Sequence, residues 1–119
     1  MSLEFVGNVE PEFLRVTASG DYSLDSMFDF IDQVKAEADT AQRSRALIDC
    51  RLVVGSMTDA ERFFGGQRIA EVFGPRLRAA VVMPEGQVTK LGEIAAVNRG
   101  ARFFGTTDET EAITWLMDA

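Results

Sequence analysis

The chain contains no histidine. That removes the commonest general base, the commonest metal ligand and the side chain that ordinarily titrates near neutral pH. Ser-His-Asp and Cys-His catalysis are excluded, and a zinc site would need one thiol plus carboxylates. Cysteine is almost missing as well: Cys50 is alone. It has no internal disulfide partner, which agrees with a reducing compartment. No run approaches the roughly 18 apolar residues of a membrane span. Met1-Ser2-Leu3-Glu4 carries neither the basic segment nor the apolar core of a secretion signal. The expectation is a cytoplasmic protein without integral membrane association, metal or cofactor. Positive charge is also scarce, with 12 Lys and Arg against 19 Asp and Glu, a formal net charge of -7. Repulsion disfavours nucleic acid and anionic membrane surfaces as partners.

What is present is the composition of an ordinary globular domain. The chain has 119 residues, of which 46% are hydrophobic and 26% charged, and that length is read as one domain over 1–119. The stretch from Arg45 to Phe64 organises it. Ala46-Leu47-Ile48 is a short apolar run without alternation, the pattern of a strand buried on both faces. Asp49 is expected where that strand, read as Arg45 to Cys50, leaves the sheet. A polar loop with Gly55, Ser56 and Thr58 follows. Either hydroxyl can cap a helix starting near Asp59, whose first turn carries Asp59 and Glu61 at the positive end of the dipole. Strand, polar loop and helix N-terminus in this order place a meeting point for ligands or partners at the carboxyl end of the strand.

The rest follows from periodicity. Leu3, Phe5, Gly7 and Val9 alternate with polar residues, as do Leu14, Val16 and Ala18, and Glu10-Pro11-Glu12 lies between, so the start is a β-hairpin. Ser23 caps a helix whose apolar stripe is Leu24, Met27, Phe28, Ile31, Val34 and Ala38, with Phe30 at its margin and expected to be partly exposed. Asp25, Asp29 and Asp32 lie opposite, on a solvated face. A second helix from Asp59 to Phe73 carries Ala60, Phe63, Phe64, Ala70 and Phe73. Gly65-Gly66 interrupts it, and each Gly costs a helix interior roughly 1 kcal/mol relative to Ala. A kink or break is the plain expectation, close backbone approach the alternative. Gly74-Pro75 ends the helix. Leu77 to Met83 reads as a fourth strand. Val88 to Arg99 reads as a third helix with Val88, Leu91, Ala95 and Ile94 inward, and Ala101 to Phe104 as a short fifth strand. Thr106 with Glu109 fits a capping box for the last helix. The order is β-β-α-β-α-β-α-β-α, an α/β domain with a mainly parallel sheet, an antiparallel first strand and helices on both faces.

These residues in this order resemble the SpoIIAA-like branch of the STAS superfamily, the anti-sigma-factor antagonist fold. The resemblance rests on Leu14-Arg15-Val16-Thr17-Ala18-Ser19-Gly20, Ala46-Leu47-Ile48-Asp49, Ala79-Ala80-Val81-Val82, Asn98-Arg99-Gly100, and Asp108-Glu109 through Ala112-Ile113-Thr114-Trp115-Leu116. It spans essentially the whole chain and implies a non-enzymatic regulatory module with a protein partner, such as a kinase or an anti-sigma-like regulator. It also implies phosphorylation near the start of the second helix, where Ser56 and Thr58 stand. The usual Asp-Ser-[Ser/Thr]-Gly signature is replaced here by Gly55-Ser56-Met57-Thr58-Asp59.

The candidate residues divide by chemistry. Ser56 and Thr58 are the hydroxyls a helix N-terminus would favour once phosphorylated, although Asp59 and Glu61 would repel the phosphate. Asp21, Asp49, Glu85 and Thr106 are expected near strand carboxyl ends, where Asp49 either meets a partner or holds its own loop. Cys50 reads as a small buried hydrophobe, and Arg51 is the one cation beside it. Phe28, Phe30, Phe63, Phe64, Phe73, Phe103 and Phe104 read as core. Phe63-Phe64-Gly65-Gly66 nevertheless sets bulk beside missing bulk, which can leave an apolar groove. The expected partner or ligand surface is therefore Asp21, Asp49, Arg51, Gly55, Phe63, Phe64, Gly65 and Gly66. The second functional reading is a carrier or sensor of a small apolar, lipid-like ligand held between helix and sheet, as the related SEC14-type lipid-transfer architecture would allow. The same apolar surface also suits a homodimer contact.

Overall fold

The computed structural model describes residues 3–87 and 90–118. Its elements are β1 (Leu3–Val9), β2 (Leu14–Asp21), α1 (Leu24–Ala41), β3 (Arg45–Val54), α2 (Asp59–Val72), β4 (Arg78–Val82), α3 (Leu91–Val97), β5 (Phe103–Thr106) and α4 (Glu109–Met117). The strands form one sheet in the order β1-β2-β3-β4-β5. β1 is antiparallel to β2, and all other pairs are parallel.

This topology decides where the helices lie. Three crossovers step across the sheet in one direction. Crossovers of one hand stepping one way lie on one face. α1, α2 and α3 therefore share a face with the main core, in which Val16, Ala18, Ile31, Val34, Ile48, Phe73, Ala79 and Ala96 are buried. Among the described residues only α4, which follows the last strand, folds over the other face, where Leu47, Ala80, Val82, Ala112 and Leu116 form a second cluster. α4 does not reach the β1 side. Val6, Leu52 and Val54 are each 64% exposed there.

Several local expectations need correction. β3 does not end at Cys50. It runs on to Val54, pairing Leu52, Val53 and Val54 with Ser19, Gly20 and Asp21. Between Thr17↔Asp49 and Ser19↔Leu52 the register slips by one residue, so Cys50 and Arg51 together oppose Ala18. This bulge reverses the in–out parity, and Val53 rather than Leu52 packs on the core. Asp49 thus lies within its strand, level with Val82, the last residue of β4, and through it with Thr106.

α2 is continuous through Gly65-Gly66, so the pair neither kinks nor breaks it. Both glycines are buried, Gly65 against the Met27 side chain and Gly66 where the helix meets the backbone of α3. A Cβ on Gly66 would collide with the carbonyl oxygen of Gly92 and stand 2.8 Å from Ala95 Cβ. Phe63 and Phe64, expected in the core, are exposed instead. Phe30 is buried rather than marginal, with its ring edge-on to Phe5 at 5.6 Å. α3 begins at Leu91, not Val88, which lies outside the described residues, and Ile94 faces solvent while Ala95 and Ala96 are buried. Thr106 belongs to β5. Asp108 caps α4 by accepting from the Thr110 N–H at 2.9 Å, and the Thr106 hydroxyl donates to Glu111 at 2.8 Å, in place of the expected Thr106–Glu109 box.

Candidate functional site

The loop from β3 to α2 runs over the carboxyl edge of the sheet. Gly55 turns it with φ +101°, a left-handed value that other residues rarely adopt, and its Cα faces Tyr22 closely enough that a Cβ would sit 3.6 Å from that of Tyr22. Ser56 is exposed and makes no hydrogen bond among the described residues. Thr58 is the N-cap of α2. Its hydroxyl oxygen accepts from the Glu61 N–H at 3.1 Å, and the Glu61 carboxylate accepts from the Thr58 N–H at 2.9 Å, a complete capping box. Asp21, exposed at the end of β2, lies beside this loop through its pairing with Val54. The next residue's N–H, that of Tyr22, donates to the Val54 carbonyl at 2.9 Å.

Asp49 and Arg51 do not join that loop. They lie on the α4 side of the sheet. The Asp49 carboxylate accepts from the Arg51 backbone N–H at 3.0 Å and from its guanidinium at 2.7 and 3.0 Å, which braces the bulge. Arg51 also donates to Glu109 at 2.8 Å, and Arg15 approaches the same carboxylate at 3.6 Å. The Arg51 hydrogen bonds, against a smaller opposing effect of burial, hold the Asp49 carboxyl below its ordinary range. The pair ties β3 to the first turn of α4 and acts as a structural clamp.

Phe63, Phe64, Gly65 and Gly66 lie on α2, on the face opposite Asp49. The two rings meet edge-on at 6.1 Å, and the Arg99 guanidinium sits 5.2 Å from the Phe63 ring centre. The glycines face inward, onto an apolar cavity between α1, α2 and the sheet. The cavity has two lobes, of about 100 and 130 Å³. Both are lined by Met27, Met57, Ile69, Val81, Met83 and Phe103. Gly65, Gly66 and Gly92 border the smaller lobe, together with Arg62, Gln87, Lys90 and Glu93, and Tyr22, Cys50 and Phe73 border the larger, whose accessible wall is apolar. Burial, with a smaller contribution from Asp49, pushes the Cys50 thiol up to about 12. Burial and the nearby Glu61 carboxylate push the Tyr22 hydroxyl to about 12, and that hydroxyl is enclosed without a hydrogen-bond partner among the described residues. Both shifts mark a setting hostile to anions.

The expected surface is therefore three places rather than one: the edge loop with Asp21, Gly55, Ser56 and Thr58; the Asp49–Arg51 clamp; and the α2 face with its cavity. The methionines were missed by sequence reasoning. Their one visible signal is Met57, an apolar residue set between Ser56 and Thr58 in a polar loop. Among the described residues there is no cluster of three or more acidic or sulfur ligands able to hold a metal ion, and no helix is long and apolar enough to cross a membrane.

The sheet order, the helix placement and the capped loop at the carboxyl edge define a SpoIIAA-like α/β fold. An anti-sigma factor antagonist from Mycobacterium paratuberculosis superposes with a TM-score of 0.64 at 13% identity, over 98% of this chain and 96% of its own. An uncharacterised protein of SpoIIAA-like fold from Shewanella loihica PV-4 superposes with a TM-score of 0.57 at 17% identity, over 97% and 93%. No family model matches the sequence. No curated protein matches it either.

Proposed function

We propose that the chain is a non-enzymatic regulatory protein-interaction module of the anti-sigma-antagonist kind, and that its contact surface is the Gly55–Thr58 loop with the first two turns of α2. The observation that supports this most is the continuity of that surface. An exposed hydroxyl, Ser56, is followed by a rigidly capped helix start and then by the exposed aromatic pair Phe63-Phe64. Large rings on a fixed element are what protein interfaces use as anchors. A phosphate on Ser56 would stand before the free N–H groups of α2 and against Asp59 and Glu61. It would thus add strong negative charge at this surface, which suits a switch operated by a kinase. The likeness to an anti-sigma factor antagonist points to an anti-sigma-like regulator as the protein partner. A carrier or sensor of a small apolar ligand is the second reading, favoured by the cavity under α2.

Native and denaturing mass spectra of the protein purified from its own cells test both. One phosphate surviving denaturation, with fragments locating it at Ser56, supports the switch. Mass lost on denaturation supports the carrier. The native spectrum also reports whether the chain is a homodimer. An unmodified chain whose partner binding is indifferent to Phe64→Glu and Ser56→Asp would overturn the proposed surface.

A further inference from the structure

We propose that the cavity beneath α2 binds one compact, uncharged apolar molecule, and that its occupancy moves Met57 and with it the Ser56–Thr58 segment. The binding half stands on the cavity itself, and the regulatory half rests on the interaction-module reading. A void of this kind is poorly suited to water, which needs two to four polar partners, and apolar cavities of about 150 Å³ stay dry yet admit a benzene-sized molecule. The two lobes are of that scale and share six lining residues. Three of those six are methionines, whose unbranched side chains repack around differently shaped guests at little cost. Gly65 keeps the space open from above, since a Cβ there would approach Met27 Cε to 2.9 Å. Among the described residues the larger lobe has no charged residue in its wall, and the Cys50 thiol and Tyr22 hydroxyl there are held in their neutral forms; Arg62, Lys90 and Glu93 border only the smaller lobe. The guest of the larger lobe is therefore a neutral molecule, since a carboxylate there would meet neither a cation nor an accessible polar group.

Met57 makes the connection. It lines both lobes and also the small cleft bounded by Tyr22, Gly55 and Pro84 at the sheet edge. Its neighbours in sequence are the exposed Ser56 and the α2 cap Thr58. A guest that repacking of the Met57 side chain does not fully absorb shifts the backbone between these two hydroxyls or pulls on the cap.

The probe is toluene, with hexanoate as the charged comparison, titrated into protein carrying ¹³C-methyl methionine and ¹⁵N. Met27, Met57 and Met83 line the cavity, whereas Met117, the last residue of α4, packs against the cluster on the other face and serves as the internal reference. The expected result is saturable shifts at Met27, Met57 and Met83 with toluene, accompanied by the Ser56 amide, little change at Met117, and no saturation with hexanoate. Ile69→Trp and Gly65→Leu each fill the cavity from α2 and should abolish the shifts. Circular dichroism identifies a variant that has not folded, and the other then decides. Shifts that do not saturate, that include Met117 equally, or that persist in a folded filled variant overturn the site. Saturation at Met27 and Met83 with Met57 and the Ser56 amide unmoved overturns the coupling. If the methyl shifts saturate while no protein partner responds to the loop, the interaction reading fails and the ligand site stands.

Discussion

Ser56 and Thr58 are two residues apart and carry the same functional group, yet their hydroxyls do different work. Thr58 satisfies an orphan N–H of α2 and is locked in a reciprocal box with Glu61; Ser56 is free of such bonds among the described residues. Thr58→Ala should therefore lower the unfolding free energy by about 1 kcal/mol, and Ser56→Ala should change it by less than about 0.5 kcal/mol, both measured by urea denaturation. Equal losses would mean that Ser56 shares the capping role and is not held in reserve for a partner. Asp49 makes a pH-dependent contribution. Its carboxyl is held below the unfolded value, chiefly by Arg51. The stabilisation is therefore present above the ordinary carboxylate range of about 4 and is lost as pH falls through the lower, folded value. Asp49→Asn should destabilise the protein at pH 7, and its melting temperature should converge with that of the parent protein as the pH drops below about 4. A gap that stays constant with pH would assign the effect to lost hydrogen bonds alone.

At the scale of elements, the α2–α3 crossing is the feature that departs most from local propensity. Two glycines in a helix are unfavourable when the helix is considered alone, which is why a kink was expected. Packing overrides this, because Gly66 lets α2 reach the backbone of α3 at Gly92. Gly66→Ala gains helix propensity of roughly 1 kcal/mol but drives a Cβ into backbone that cannot give way, so a net loss of about 1–3 kcal/mol is expected. Gly65→Ala meets only the end of the flexible Met27 side chain and should be close to neutral. Thermal denaturation of the two variants decides this, and similar melting temperatures would show that α3 can slide away. The capped start of α2 was legible because Thr58, Asp59 and Glu61 are local signals. The exposure of Phe63-Phe64 and the burial of Gly65-Gly66 were legible only as alternatives, because a helical stripe of large apolar residues normally faces the core and a partner helix at close range is what reverses the preference. The extension of β3 was hidden in a similar way. The bulge at Cys50-Arg51 reverses the alternation on which strand reading depends.

At the scale of the whole molecule, the order of elements and the strand directions were readable because each strand and helix announces its own period, and the crossover rule then leaves little freedom. A space between helix and sheet was suggested by Gly65-Gly66, but the cavity's lining was not readable, because it is a property of side chains from α1, α2, β3, β4 and β5 meeting at one place. The same topology sets how stability is distributed. Ala46, Leu47 and Ile48 on β3 and Ala79 to Val82 on β4 are buried with helices over both faces. Beyond the bulge, among the described residues, Leu52 and Val54 have no helix on their outer side, and their strand pairs with β2 alone. Amides buried in a doubly covered sheet exchange with solvent only when the whole domain opens, whereas those at an uncovered margin open locally. Hydrogen exchange should thus give residues 46–48 and 79–82 free energies equal to that of global unfolding, and clearly smaller values for residues 52–54. The loop that carries Ser56 would then be joined to a strand end that opens without unfolding the core, which gives a bound partner or a filled cavity a cheap element to move. Uniform protection along all of β3 would place the loop on a rigid frame, and displacement of Met57 would then have to be absorbed within residues 55–58.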